Sequence, residues 1–197
     1  MKLSSTSWLA VVLVGFLTSL IGHLVADGRA DPDQVFLTGH PNGGGMAMRM
    51  TCERPELIAG ISVVATKVPT NFQCANGAHM PAMFVHGTED PIAPHQGRPE
   101  GSRLGAALSS EASVALWHRW NRCGGRLEPR VVDRKPGGTS LRAFRYGGCA
   151  AELQFFEIIG HGHGWPNLDG EATRLQGPAS QEFSATGATW MFFQRQR

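Results

Sequence analysis

The chain contains no C-x-x-C pair, which argues against a zinc ribbon. Excess charge of either sign is also missing, since 18 Lys and Arg face 16 Asp and Glu for a formal net charge of +2. The basic residues are scattered, apart from Arg195 and Arg197 at the end, so no basic patch marks a nucleic-acid partner. There is no internal repeat, which argues against a solenoid or a propeller. The apolar run near the start is short for a membrane span and is followed by His23. What remains is a globular composition, 42% hydrophobic and 17% charged. The 197 residues suit one domain with a real core. The 25 Gly and 12 Pro demand many turns. Four cysteines, an even number, suit two disulfides in an exported chain.

Residues 1–26 admit two readings. Lys2 followed by the apolar run Trp8–Leu17 has the layout of a signal peptide, with a cleavage site near Ala26. Alternatively, Leu13, Phe16, Leu17, Leu20, Ile21 and Leu24 fall on one face of a buried helix. The periodicity runs past a signal-peptide core and favours the helix. Residues 27–197 then form the domain proper. Asp27–Asp33 is a loop, in which Pro32 keeps Asp31 out of helix.

The next stretch organises the rest. Val35, Phe36 and Leu37 read as a short buried strand, and Gly39-His40-Pro41-Asn42-Gly43 as a sharp turn. A helix over Met46–Cys52 follows. Strand, glycine-bounded turn and helix make the layout of a nucleophile elbow, G-x-S-x-G, which lifts a serine above a sheet. The outer glycines are Gly39 and Gly43, and the central residue is Pro41. Proline has no hydroxyl. It also locks φ near about −65°, whereas an elbow nucleophile is usually held at positive φ. The plain alternative is a glycine-rich strand-to-helix connection.

Further strands are expected at Leu57–Ala65, Ala82–His86, Arg130–Asp133, Leu141–Tyr146 (the last two around the turn Pro136-Gly137-Gly138) and Leu153–Ile159. Helices are expected at Ala112–Asn121, stopped by Gly124-Gly125, and at Ser184–Phe193. Strands alternating with helices indicate an α/β domain with a mostly parallel sheet flanked by helices. Three loops follow strands: the elbow, Gly87–Pro91 and Gly160–Pro166. Sites in such sheets form at the carboxyl ends of the strands. Hydrolase triads run nucleophile, acid, histidine along the chain, and here that order gives Pro41, Asp90 and His163. Asp90 is placed to orient His163, the base that would deprotonate a serine. Taken singly, Asp90 is also a turn former before Pro91, and His163 a glycine-loop histidine.

Four segments carry a family resemblance: V-F-L-T-G-H-P-N-G-G-G-M-A-M-R-M-T-C-E, F-V-H-G-T-E-D-P-I-A-P-H, W-H-R-W-N-R-C and G-H-G-H-G-W-P. Together they resemble the secreted esterases that include polyhydroxybutyrate depolymerases and feruloyl or acetylxylan esterases, of the α/β-hydrolase superfamily. The resemblance implies Asp90 as acid and His163 as base, with Pro41 where the nucleophile belongs. It implies the backbone N–H of Asn42 as the remaining oxyanion donor. It also implies that the first strands of the fold, with their H-G-G-type loop, are lacking, so that 27–197 is a partial α/β-hydrolase domain with an unprotected sheet edge. The pairings Cys52–Cys74 and Cys123–Cys149 fit the resemblance, as one of three connectivities, beside four reduced thiols in a cytosolic protein.

The implied function is hydrolysis of carboxylic esters, impaired or lost at Pro41, with no cofactor. The substrate would be an ester or polymer, either a polyester or a plant cell-wall ester, met in a secreted or periplasmic setting. A non-catalytic binding protein is the alternative. His40, His86, His161 and His163 would then gather around Zn²⁺ or Cu²⁺, or Trp117, Trp120 and Trp165 would hold a polymer. The plainer reading leaves the histidines as loop residues and the tryptophans as core.

Overall fold

The computed structural model of the chain describes residues 5–74, 77, 79–126, 130–132, 138–169 and 171–196. Lys2, Asp133, Pro136 and Gly137 lie outside the described residues. In chain order the elements are α1 (Ser5–Ala26), β1 (Phe36–Gly39), α2 (Asn42–Glu53), β2 (Gly60–Val64), β3 (Ala82–Gly87) and α3 (Ser110–Trp120). Then come β4 (Gly125–Arg126), β5 (Arg130–Val132), β6 (Ser140–Gly147), β7 (Leu153–Ile159) and α4 (Ala185–Gln194).

The apolar runs rich in Val, Ile and Phe become neighbouring strands. β1, β2, β3 and β7 pair in parallel in that spatial order. β6 adds antiparallel to β7, and the short β4 and β5 pair antiparallel with β6. The parallel half is therefore the part of the mixed sheet that carries three strand-to-loop exits on one edge. β1 lies at the end of the order, with β2 as its partner among the described strands.

Period-two alternation sorts the strands between two layers. Ile61, Val63, Ala82, Phe84, Leu153 and Phe155 join the core beneath α1, α2 and α3. Val64, Met83, Val85 and Ile158 join the opposite core with Phe192 and Phe193 of α4. Ser62 on that second face is satisfied by Thr189 of α4, hydroxyl to hydroxyl at 2.7 Å. Trp117 is fully buried in the first core between Phe72 and Phe84.

Side chains fix the helix starts. Ser109 Oγ accepts the Ala112 N–H at 3.0 Å ahead of α3, and Ser184 Oγ accepts the Gly187 N–H at 3.2 Å ahead of α4. α2 begins at Asn42, four residues earlier than expected at Met46, because Pro41 already has helical angles, φ −68° and ψ −37°. Leu57 belongs to a short 3-10 turn, Pro55–Leu57, so β2 begins only at Gly60.

Helix α1 forms over most of the first segment, but its buried face differs from the expected one. Val14 and Ile21 are buried, with Leu17 and Val25 packed beside them. Leu13, Phe16 and Leu20 are exposed at 39%, 59% and 41%. The helix is apolar around much of its circumference and packs on α2, so periodicity alone did not select the inner stripe. Among the described residues no helix is long and apolar enough to cross a membrane.

Two disulfides close the structure. Cys52 at the end of α2 joins Cys74, and Cys123 after α3 joins Cys149 after β6. These are the pairings the family resemblance implied.

Candidate active site

The ends of β1, β3 and β7 deliver the three loops to one edge of the sheet. Close backbone approach there requires glycine. A Cβ on Gly39 would run into the first turn of α2 at Gly43 and Gly44, and one on Gly87 into the carbonyls of His161 and Gly162. These contacts press the elbow helix against β1 and the histidine loop against β3.

Asp90 sits on the loop after β3 with its carboxylate out of solvent. Its Oδ1 accepts the N–H groups of Ile92 at 2.9 Å and Ala93 at 2.7 Å. Its Oδ2 accepts Nδ1–H of His163 at 2.8 Å. Burial acts to raise the Asp90 pKa. The hydrogen bonds from His163 and Ala93, with the neighbouring imidazoles, outweigh it and hold the carboxyl below its usual range. An ionised Asp90 keeps the His163 proton on Nδ1, which leaves Nε2 of that buried ring as the free basic atom.

The other three histidines are braces. His40 Nε2 donates to the His163 carbonyl at 2.5 Å, and the two rings lie 4.7 Å apart between centroids. His86 Nε2 donates to the Ala93 carbonyl at 2.8 Å and lies 3.5 Å from Asp90 Oδ2, locking the acid loop. His161 accepts the Ser180 N–H on Nδ1 at 2.9 Å and donates from Nε2 to the Gly164 carbonyl at 3.0 Å. Burial is the main cause lowering the pKa of all three, which keeps them neutral. Nε2 of His40 and of His86 and both ring nitrogens of His161 are committed to the protein, and among the described residues no His, Cys, Asp and Glu group is placed to hold a metal ion. Of the three candidate tryptophans, Trp117 is core with Trp120 packed beside it at 4.7 Å between centroids, and Trp165 stands apart, donating Nε1–H to Thr186 Oγ1 at 3.0 Å.

Pro41 and His163 line the same cavity, of about 570 Å³, together with Asn42 of the first turn of α2. Thr66 Oγ1 donates to the Pro41 carbonyl at 3.1 Å and the Val64 carbonyl at 2.9 Å, so its hydroxyl is committed to the backbone. Pro41 is the N-cap of α2 in ordinary right-handed geometry. The non-glycine residues at positive φ among those described are Ala65 and Arg122, neither of them on the elbow.

Sequence reasoning missed Lys67, His95 and Glu157. Lys67 follows β2, is buried, and donates from Nζ to Ser110 Oγ at 3.0 Å and the His95 carbonyl at 3.3 Å. Burial lowers its pKa to about 8, against the raising effect of Asp90. Glu157 lies on β7 with His95 Nε2 at 3.0 Å and Arg142 Nη1 at 3.2 Å, and these neighbours hold its carboxyl below the usual range against burial. The signal was present as a single charge inside an apolar run, Lys67 in I-S-V-V-A-T-K-V and Glu157 in L-Q-F-F-E-I-I.

The chain is similar to NocK of Nocardia uniformis subsp. tsuyamanensis, an esterase by description. The two are 28% identical over 166 residues, covering 78% of this chain and 48% of that one. It is also similar to a poly(3-hydroxybutyrate) depolymerase of Ralstonia pickettii, 38% identical over 160 residues, covering 79% of this chain and 30% of that one. The chain thus spans about half the length of the first relative and less than a third of the second. A solved variant of Arabidopsis thaliana SOBER1 superposes with a TM-score of 0.53 at 13% identity, covering 99% of this chain and 67% of that one, a likeness of fold. No family model matches the chain.

Proposed function

We propose, for a chain that belongs to the α/β-hydrolase esterases, that it has the acid–base half of a serine esterase without the attacking group. Its own turnover of carboxylic esters is accordingly impaired or absent. The observation that carries this reading is the pairing of Asp90 with His163 at 2.8 Å, where His163 lines a cavity that Pro41, at the elbow position, also lines.

The geometry supports a division of labour. Asp90 fixes the tautomer of His163 and stabilises its protonated form. His163 Nε2 is the atom that would take a proton from a hydroxyl on the elbow. The N–H of Asn42, at the positive end of α2, is the donor for a developing oxyanion. Loss of one triad member alone costs several orders of magnitude in rate. The named activities of the two sequence relatives support an ester or polyester as substrate, and the two disulfides support an oxidising, extracellular or periplasmic setting. In this reading residues 27–197 form a partial hydrolase domain preceded by the apolar segment 1–26.

Hydrolysis of p-nitrophenyl butyrate by wild-type protein, Pro41→Ser and Pro41→Ser/His163→Ala tests the reading. Turnover that appears in Pro41→Ser and vanishes in the double variant supports it. A wild-type rate that depends on His163 refutes it.

The second reading, a non-catalytic ligand binder, is favoured by the retained cavity. Its metal-binding form has no ligand set among the described residues.

A further inference from the structure

Lys67 lines the cavity with its side chain buried, and no carboxylate among the described residues lies within ion-pair distance of its ammonium. Its hydrogen-bond partners are a hydroxyl and a carbonyl, both neutral. A second cation, Arg98, lines the same cavity. Its guanidinium is held by the carbonyls of Gly105 at 3.0 Å and Leu104 at 3.2 Å, again without a carboxylate. Arg49 lines it too but is paired with Glu53. No acidic side chain is among the described lining residues. Apolar side chains of Met48, Phe72, Ile92 and Leu104 also line it.

Asp90 acts on Lys67 only from beyond ion-pair distance, so the buried charge keeps a cost that an anion entering from the cavity reduces. The apolar walls reward a ligand whose remainder is hydrocarbon. We propose that this cavity binds a monocarboxylate with an apolar body, its carboxylate against Lys67 and its hydrocarbon part against Phe72, Met48 and Leu104. The ligand class is that of the acid half of a cleaved ester. The inference deepens the esterase reading by naming what the same cavity holds, and it rests on that reading only for the origin of the acid. Binding itself needs neither a nucleophile nor turnover. Free carboxylate binding therefore stands or falls separately from catalysis.

Calorimetric titration of the oxidised 197-residue chain at neutral pH with 4-phenylbutyrate and with its neutral amide tests the proposal. The acid is expected to bind at least about tenfold more tightly than the amide, the scale of one charge-assisted hydrogen bond. In Lys67→Met the acid falls to the affinity of the amide, while the amide is unaffected. Equal affinities in wild type, no heat from the acid at millimolar concentration, or a preference that survives in Lys67→Met would each overturn it. If Lys67→Met does not fold, the comparison of acid and amide on wild type decides alone.

Discussion

Asp90 and His163, 73 residues apart in the chain, meet at 2.8 Å between Oδ2 and Nδ1 in a buried pair. The contact joins the loop after β3 to the loop after β7, and two backbone N–H groups hold the same carboxylate from below. Its role is thus structural as well as electrostatic. Replacing Asp90 by Asn keeps the shape but removes the charge that holds the His163 proton on Nδ1. Asp90→Asn is expected to lower stability by about 2–3 kcal/mol, the scale of a broken buried charged network. A urea-unfolding midpoint that does not move would show that the pair contributes nothing to the fold.

Acid sensitivity follows from the bracing histidines. His40, His86 and His161 each have a pKa lowered from 6.5, chiefly by burial. The unfolded chain takes up these protons near pH 6.5, and the folded chain only at lower pH. Stability from this source is therefore complete above pH 6.5 and is lost as pH falls below it. A fully buried histidine loses roughly 1.4 kcal/mol per pH unit in that window. His86, whose pKa falls to about 3 in the folded chain, contributes the largest share. The urea midpoint should drop between about pH 7.5 and about pH 5.5, and His86→Gln should flatten the drop. Asp90 and Glu157 do not cause it. Their lowered carboxyl values place their loss of stability below the ordinary carboxylate range, as pH falls toward the folded values.

Reduction of the disulfides weakens the chain without touching the cavity directly. Cys52–Cys74 and Cys123–Cys149 close segments of 22 and 26 residues. Each is worth about 3 kcal/mol on a loop-entropy account. Dithiothreitol is expected to lower the melting temperature markedly, and Cys123→Ser/Cys149→Ser to reproduce about half of that loss. An unchanged melting curve would contradict the pairing.

Lys67→Met is expected to raise the melting temperature in the absence of ligand. A buried ammonium whose pKa has fallen to about 8 is still charged at neutral pH and pays for its burial. An apolar side chain of similar length removes that penalty, by on the order of 1–2 kcal/mol after the loss of the bonds to Ser110 and His95. A lower melting temperature would mean that those hydrogen bonds outweigh the desolvation of the charge.

Much of this architecture was legible along the chain. β3 and β7 were readable because each is a short apolar run ending in glycine, and the strand-end loops alone placed Asp90 and His163 on one edge. Helix α3 was readable through its apolar spacing, but its expected Gly124-Gly125 stop was not where it ends: the helix closes at Trp120, Arg122 takes the left-handed turn at φ 51°, and Gly125 already belongs to β4. The inner face of α1 was not, because apolar residues ring that helix and the choice depends on α2. Lys67 was not, because its burial arises from the His95 loop and the start of α3 closing over the end of β2, contacts 28 and 43 residues away. The bracing role of His161 likewise depends on Ser180, 19 residues further on. His40, His86 and His161 share one edge, but each is spent on a backbone carbonyl, which residue type alone does not reveal.

The most direct measurement is the mass of the intact protein after exposure to a fluorophosphonate, which forms a covalent adduct with an activated serine. The wild-type chain, with proline at the elbow, is expected to keep its unmodified mass, while Pro41→Ser gains one adduct that His163→Ala suppresses. A stoichiometric adduct on the wild-type chain would show that another hydroxyl attacks in this cavity, and the account of a site without its nucleophile would be wrong.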